Sequence, residues 1–164
     1  MTVKRTAEGY GSNWLCDNIA VGDTLEVLPP SGVFTPKSLD HDFLLFAAGS
    51  GVTPVISILK SALTEGSGKV VLFYANRDEK SVIFAEELRT LASRYPSRLV
   101  SIHWLETVQG LPSVDQLASA VAPYLGHEAF MCGPAPFMDT IHKALADAGM
   151  PPAARCTPKC STRW

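Results

Sequence analysis

The chain has no basic block. Its 14 Lys and Arg stand against 16 Asp and Glu, a formal net charge of −2 over 164 residues. That balance offers no electrostatic footprint for nucleic acid or for a charged membrane surface, so neither is expected as a partner. No apolar run approaches the roughly 20 residues needed to span a bilayer. The opening stretch, MTVKRTAEGYGSNW, has no apolar signal-peptide core. The expectation is therefore a cytoplasmic protein whose thiols stay reduced. Cysteine is scarce and unpaired in pattern: Cys16, Cys132, Cys156 and Cys160 form no C-x-x-C. Cys156 and Cys160 have no second pair or histidine nearby, so no metal site is expected. There is no internal repeat and no low-complexity tract.

What is present is a chain rich enough in apolar residues, 46%, to bury a sizeable core. Its length suits one domain, or one domain with a fragment of another. The organising stretch is Phe43–Lys60, FLLFAAGSGVTPVISILK. Phe43 to Ala48 lacks polar alternation, as expected for a strand covered on both faces of a parallel sheet. Gly49, Ser50 and Gly51 allow a tight turn and a close backbone approach. Thr53 reads as an N-cap and Pro54 as a first helical residue. Val55, Ile56, Ile58, Leu59 and Leu63 then give a broad buried helix face. A helix N-terminus behind glycines suits a phosphate. An ordinary strand-to-helix turn fits the same residues.

Elsewhere the pattern predicts short strands at Thr2–Arg5 and Asp23–Leu28. Between them Gly9-Tyr10-Gly11-Ser12-Asn13 enters a short helix with Ser12 as N-cap. Pro29-Pro30-Ser31-Gly32 ends the second strand, and Val33–Asp42 reads as a linker with a domain boundary near residue 41. Lys69–Ala75 is a second buried strand, followed by the polar loop Asn76–Lys80. A helix is expected over Val82–Tyr95 and a third strand over Arg98–Leu105. Ser113 and Gln116 form a capping box that opens a helix to about Val121. Glu128–Cys132 is a fourth strand. Gly133-Pro134-Ala135-Pro136 leads into a helix over Phe137–Ala148, closed by Gly149. This alternation predicts an open parallel α/β sheet with helices on both faces. In such sheets ligands bind beyond the C-terminal strand ends, where strand order reverses. If the first and fourth strands flank that reversal, Gly49–Pro54 and Cys132–Pro136 face each other across one crevice.

The motifs AGSGVTP (Ala48–Pro54), YANR (Tyr74–Arg77) and CGPAPFM (Cys132–Met138) resemble the nicotinamide domain of the ferredoxin–NADP reductase superfamily. GYGSN (Gly9–Asn13) resembles that family's second flavin-phosphate motif, at the end of its flavin-binding barrel. The likeness covers about residues 2–155. It is strongest to reductase components of bacterial Rieske-type oxygenases, most of all those of 3-ketosteroid 9α-hydroxylases and phenylacetyl-CoA oxygenases. The resemblance implies hydride transfer from nicotinamide C4 to flavin N5, then single-electron delivery through a [2Fe–2S] centre to a terminal oxygenase partner. It implies that Gly49, Ser50 and Gly51 carry the dinucleotide pyrophosphate and that Thr53 lies near the nicotinamide–flavin contact. Cys132 and Gly133 would sit beside the nicotinamide, with Pro134 setting that turn and Phe137 following it. Ser12, with Gly9 and Asn13, would bind the flavin pyrophosphate and orient the flavin edge. Cys132, Thr53 and Ser12 are thus the expected catalytic positions.

NADH is the expected coenzyme, with NADPH left open. Asn76 and Arg77 end the second strand where an acidic residue would favour NADH, and Asp78 and Glu79 follow. Arg77 either meets a 2′-phosphate or lies along the adenine.

Two departures stand out. Residues 1–40 correspond only to the tail of a flavin barrel, so FAD and [2Fe–2S] are expected in a full-length parent rather than in this chain. Residues 156–164, CTPKCSTRW, show no β pattern where the family carries a fifth strand. With one G restored, a synonymous codon set for them reads Val-His-Thr-Glu-Val-Phe-Asp-Ser-Val, that strand. The expectation is a one-base deletion near codon 155. The domains expected are a barrel remnant over 1–40, a dinucleotide-binding domain over 41–155 and an aberrant tail. The rival functions are a non-catalytic dinucleotide-binding fragment and the reductase part of a flavohaemoprotein-like nitric oxide dioxygenase. The oligomeric state is left open.

Overall fold

The computed structural model describes residues 3–29, 31–150 and the backbone of 156–160. The chain divides into two compact units with the boundary between Val33 and Phe34.

In the first unit one helix, α1 (Tyr10–Asn18), is present. Its N-cap is Gly9, not Ser12, which lies inside the first turn. The chain reverses at Glu8, whose φ is 60°, and Gly9 N–H bonds the Thr6 carbonyl. That reversal brings Thr6 to Ser12, whose hydroxyl accepts from Thr6 N–H at 3.1 Å and donates to the Gly9 carbonyl at 3.3 Å. The strands expected near the N-terminus do not form: residues 3–5 and 23–28 have no regular structure. A strand needs a hydrogen-bonded neighbour, and the single sheet among the described residues belongs to the other unit. Thr2 and Pro30 lie outside the described residues.

The second unit is the expected parallel sheet. Its strands are β1 (Phe43–Ala48), β2 (Val70–Asn76), β3 (Leu99–Leu105), β4 (Glu128–Gly133) and β5 (Cys156–Cys160). They lie in the order β3-β2-β1-β4-β5, and every pair is parallel. Phe43 is opposite Val70 on one side and Glu128 on the other. The chain steps outward from β1 to β2 and β3, then crosses back to place β4 against the free side of β1. The order therefore reverses between β1 and β4, the condition for a shared crevice at their ends.

Alternate residues of β1, β2 and β4 point to opposite faces. Phe43, Leu45, Val70, Leu72 and Phe130 pack under α2 (Val52–Glu65) and α3 (Ala85–Arg94). Leu44, Phe46, Val71, Phe73 and Met131 pack under α5 (Val114–Val121) and α6 (Ala135–Asp147). A single turn of helix, α4 (Glu106–Gln109), follows β3. The capping box of Ser113 and Gln116 makes both of its bonds. Gly149, at φ 89°, ends α6 with Met150 N–H on the Leu145 carbonyl.

Several features differ from expectation: α6 starts at Ala135 rather than Phe137, directly after its Pro134 N-cap, and three others have the following physical reasons. The segment before β1 belongs to this unit from Phe34 onward, because Phe34 sits edge-on to Phe130, ring centroids 5.5 Å apart. Helix α3 starts at Ala85 rather than Val82. Asp78 captures the Ser81 N–H, and Phe84 takes a left-handed φ of 61° at the N-cap. Residues 156–160 form a strand despite their composition, since β4 otherwise presents an unpaired ladder edge. Pro158 is tolerated there because β5 is itself an edge strand. The out-of-phase reading of the tail falls otherwise on residues 155 and 161–164, outside the described residues.

Candidate functional site

The turn after β1 is a 3₁₀ turn, Gly49–Gly51, running directly into α2. The N-cap is Gly51, and Thr53 is the second helical residue rather than the cap. The extra turn displaces the helix start and gives Thr53 another task. Its hydroxyl donates to the Ser50 carbonyl at 3.0 Å. Pro54 falls in the first turn, where its missing N–H costs no helical bond.

The two glycines of this turn are required for different reasons. Gly49 has φ 52°, a left-handed conformation that favours glycine, and a side chain there would meet open space. Gly51 faces the opposite loop: a Cβ on it would collide with the Cys132 carbonyl. Gly133 is confined less severely, since its Cβ would lie 2.9 Å from the Phe137 ring and 3.0 Å from the Ala48 Cβ. The ends of β1 and β4 are therefore in backbone contact, and the two predicted loops do meet. Cys132 is buried at the end of β4, opposite Ala47. Pro134 is the N-cap of α6, which carries Phe137.

Two of the turn's carbonyls are engaged within the protein. That of Gly49 accepts from Val52 N–H and from the Tyr74 hydroxyl, at 3.1 Å in the latter case. With that of Ser50 held by Thr53, the N–H edge and the positive end of a 14-residue helix are left toward the strand ends. An anion fits this end and a cation does not.

Asn76, at the end of β2, is 7% exposed, and neither atom of its amide has a hydrogen-bond partner. Burial pushes the Tyr74 hydroxyl's pKa up, opposed by the Ile83 N–H and then by the nearby Asn76 amide. A buried amide left unpaired is expensive, and such groups in folded proteins answer to a water or a ligand. Arg77 extends into solvent, and its Nε lies 3.1 Å from Asp78 Oδ2. Asp78 Oδ1 accepts from the N–H and the hydroxyl of Ser81. Ser81, and then Arg77, hold the Asp78 carboxyl below the ordinary carboxylate range.

Of the predicted residues, Gly49, Ser50, Gly51, Thr53 and Pro54 gather at the start of α2, and Cys132, Gly133, Pro134 and Phe137 at the start of α6. Asn76 and Arg77 lie at the end of β2 and just beyond it, next to β1 in the sheet. Gly9, Ser12 and Asn13 belong to the other unit. There the Ser12 hydroxyl is spent on Thr6 and Gly9, and the Asn13 amide donates to the Thr6 carbonyl at 3.2 Å. These side chains close a turn. Among the described residues no group of His, Cys, Asp and Glu has the makings of a metal site.

A family profile described as "Oxidoreductase NAD-binding domain" matches residues 45–143, the span from β1 into α6. The chain belongs to the oxidoreductase NAD-binding domain family. It is 78% identical over 153 residues to the ferredoxin reductase component of 3-ketosteroid-9-alpha-monooxygenase from Rhodococcus rhodochrous, covering 93% of this chain and 44% of that protein. It is 36% identical over 166 residues to a component of the 1,2-phenylacetyl-CoA epoxidase of Escherichia coli, covering 92% of this chain and 47% of that one. The fold matches a variant of ferredoxin-NADP+ reductase from Plasmodium falciparum, with a TM-score of 0.76 at 19% identity, over 93% of this chain and 65% of that one. The resemblance read from the motifs is thus met in sequence and in fold. The chain spans less than half the length of the curated relatives it matches.

Within this oxidoreductase NAD-binding domain, two residues matter that the sequence does not mark as site builders. Tyr74 ties the glycine turn to β2, and Asp78 holds Arg77. The sequence marks Tyr74 only as part of the YANR motif and Asp78 only as an acidic residue after β2, and neither hydrogen bond can be read from it.

Proposed function

We propose that the chain is the NAD(P)H-binding part of a flavin-dependent reductase that serves a terminal oxygenase, with NADH as its coenzyme. The observation that carries this is the meeting of two strand ends at the reversal of sheet order. A glycine turn with its carbonyls tied back lies there against the Cys132–Gly133 backbone. The orphaned amide of Asn76 supports it, as a buried group in want of a ligand partner.

The residues fit a dinucleotide. The N–H edge of Gly49–Gly51 and the start of α2 would hold the pyrophosphate. Asn76 and Arg77 would meet the adenosine half. Cys132, Gly133 and Thr53 would flank the nicotinamide, with Pro134 and Phe137 shaping that wall. When bound, the nicotinamide supplies the hydride and the protein supplies distance, orientation and exclusion of water. NADH is favoured because Asp78 already neutralises Arg77 and would repel a 2′-phosphate beside it.

The flavin half fits less well. Ser12 and Asn13 are engaged within their own turn, so the backbone N–H groups opening α1 and the second Asn13 amide N–H are left for a flavin phosphate. Residues 1–40 are read as the end of a flavin-binding barrel. FAD, an onward [2Fe–2S] centre and the oxygenase partner are assigned to the longer protein of which the 78%-identical relative is an example. That identity is to an oxygenase reductase, which favours it over a nitric oxide dioxygenase.

The test is titration of the full chain with NADH and NADPH, followed by amide NMR shifts, then NADH-driven ferricyanide reduction with added FAD. Shifts centred on residues 49–54 and 132–137, with NADH the tighter ligand, are expected. Binding without reduction identifies a dinucleotide-binding fragment. No shift in either loop refutes the assignment.

A further inference from the structure

Tyr74 is fully buried in β2, yet a phenylalanine would fill the same volume in an apolar cluster. A buried hydroxyl is costly unless both its roles are used. Here they are. It donates to the Gly49 carbonyl at 3.1 Å and accepts from the Ile83 N–H at 3.2 Å.

What this bond controls follows from peptide geometry. The Gly49 carbonyl also accepts from Val52 N–H, so both of its lone pairs are occupied. The Gly49–Ser50 peptide is trans and planar, so its N–H points opposite to its C=O. Pinning the carbonyl toward β2 aims the Ser50 N–H away from it. Gly49 has no side chain, a φ of 52° and open space around it. Apart from the Val52 bond, only the Tyr74 hydroxyl holds that carbonyl against rotation of the peptide.

The second bond reaches the segment after β2. Ile83 precedes Phe84, which holds a φ of 61° that a bulky residue adopts only at a cost. Phe84 is fixed between the Ile83–Tyr74 bond and the first bond of α3, Leu88 N–H to the Phe84 carbonyl at 2.8 Å. One hydroxyl thus joins the turn after β1 to the segment after β2.

We propose that Tyr74 is a positioning residue for the dinucleotide: its hydroxyl holds the Gly49–Ser50 peptide with the N–H toward the pyrophosphate and registers that turn against the segment after β2. This rests on the reading of Gly49–Gly51 as the pyrophosphate turn. Tyr74 touches no ligand atom in this role. It acts through Gly49 and Ile83.

The test is calorimetric titration of the full chain and of Tyr74→Phe with ADP-ribose, which carries the pyrophosphate and adenosine without the nicotinamide. Both are measured well below their melting temperatures, where each is folded. Tyr74→Phe should bind about tenfold more weakly, the equivalent of one net hydrogen bond. A lower melting temperature with unchanged affinity makes the hydroxyl merely structural and overturns the proposal. Failure of the wild-type chain to bind ADP-ribose overturns the pyrophosphate reading, and this proposal with it. Hydrogen exchange of the Ile83 amide in the wild-type chain needs no variant. Its exchange should slow at saturating ADP-ribose, and an unchanged rate overturns the coupling.

Discussion

Replacing Gly51 and Gly49 by alanine, one at a time, separates the two uses of glycine in the turn after β1. A Cβ on Gly51 would run into the Cys132 carbonyl, with the Gly133 nitrogen at 2.9 Å. Those are backbone atoms at the end of β4, so they cannot yield as a flexible side chain would. Overpacking a rigid site costs about 1–3 kcal/mol, and the upper half of that range applies here. At Gly49 the added methyl meets nothing, and only the left-handed φ of 52° is penalised. That penalty is about 1 kcal/mol. A domain of this size loses about 3–5 °C of melting temperature per kcal/mol. Gly51→Ala should therefore melt roughly 10 °C below the wild type and Gly49→Ala roughly 4 °C below. Differential scanning calorimetry reads both. The reasoning is refuted if Gly51→Ala melts with the wild type, or if the two variants fall in the reverse order.

Arg98 donates from Nε to the Gly68 carbonyl and from its two terminal nitrogens to the carbonyls of Leu63 and Ala62, capping the negative end of α2. Arg98→Ala should cost about 2 kcal/mol in urea unfolding, and Arg98→Lys, which lacks the fork, should recover less than half of it. Asp78 ionises below the ordinary carboxylate range, chiefly through Ser81 and then Arg77. Its stabilising bonds are thus present above the unfolded pKa and are lost as pH falls through the lower folded one. The Ser81 amide shift should hold its neutral-pH value to a lower pH than in Arg77→Ala, where one of the two partners of the carboxylate is gone. Asp78→Asn should raise the ratio of NADPH to NADH affinity a few-fold, and a salt-insensitive or unchanged ratio speaks against the pairing as the source of preference.

Much of this architecture was legible in the sequence, for reasons that differ by element. β1, β2 and β4 are buried on both faces, so each is an unbroken apolar run. The Ser113–Gln116 capping box and Gly149 act within one turn of chain, where spacing is informative. Gly49–Gly51 and Cys132–Pro134 were legible as turns, but their meeting depended on β1 and β4 being neighbours, which the alternation of strands and helices does not fix and the sheet order supplies. What escaped were contacts made across long sequence separations. The hydroxyl of Tyr74 meets a residue 25 positions away, and Arg98 reaches back 36 to Ala62. No local pattern announces either. The Ser12 cap failed because a left-handed Glu8 moved the helix start, and Thr53 failed because a 3₁₀ turn preceded α2. β5 carries a proline and a lysine, and it exists through the open edge of its neighbour rather than through its own propensity.

The central place of β1 also sets an order of assembly. β1 reaches β2 through Phe43 and Val70, 27 positions apart, but reaches β4 through Phe43 and Glu128, 85 positions apart. The longer closure costs about 1 kcal/mol more in chain entropy. It also waits on the intervening strands and helices. The β1–α2–β2 half can form while β4 is still unbound, so the crevice between β1 and β4 is among the last features to appear in folding. A dinucleotide held there would then have no early intermediate to bind. It would slow unfolding of the finished domain without speeding its formation.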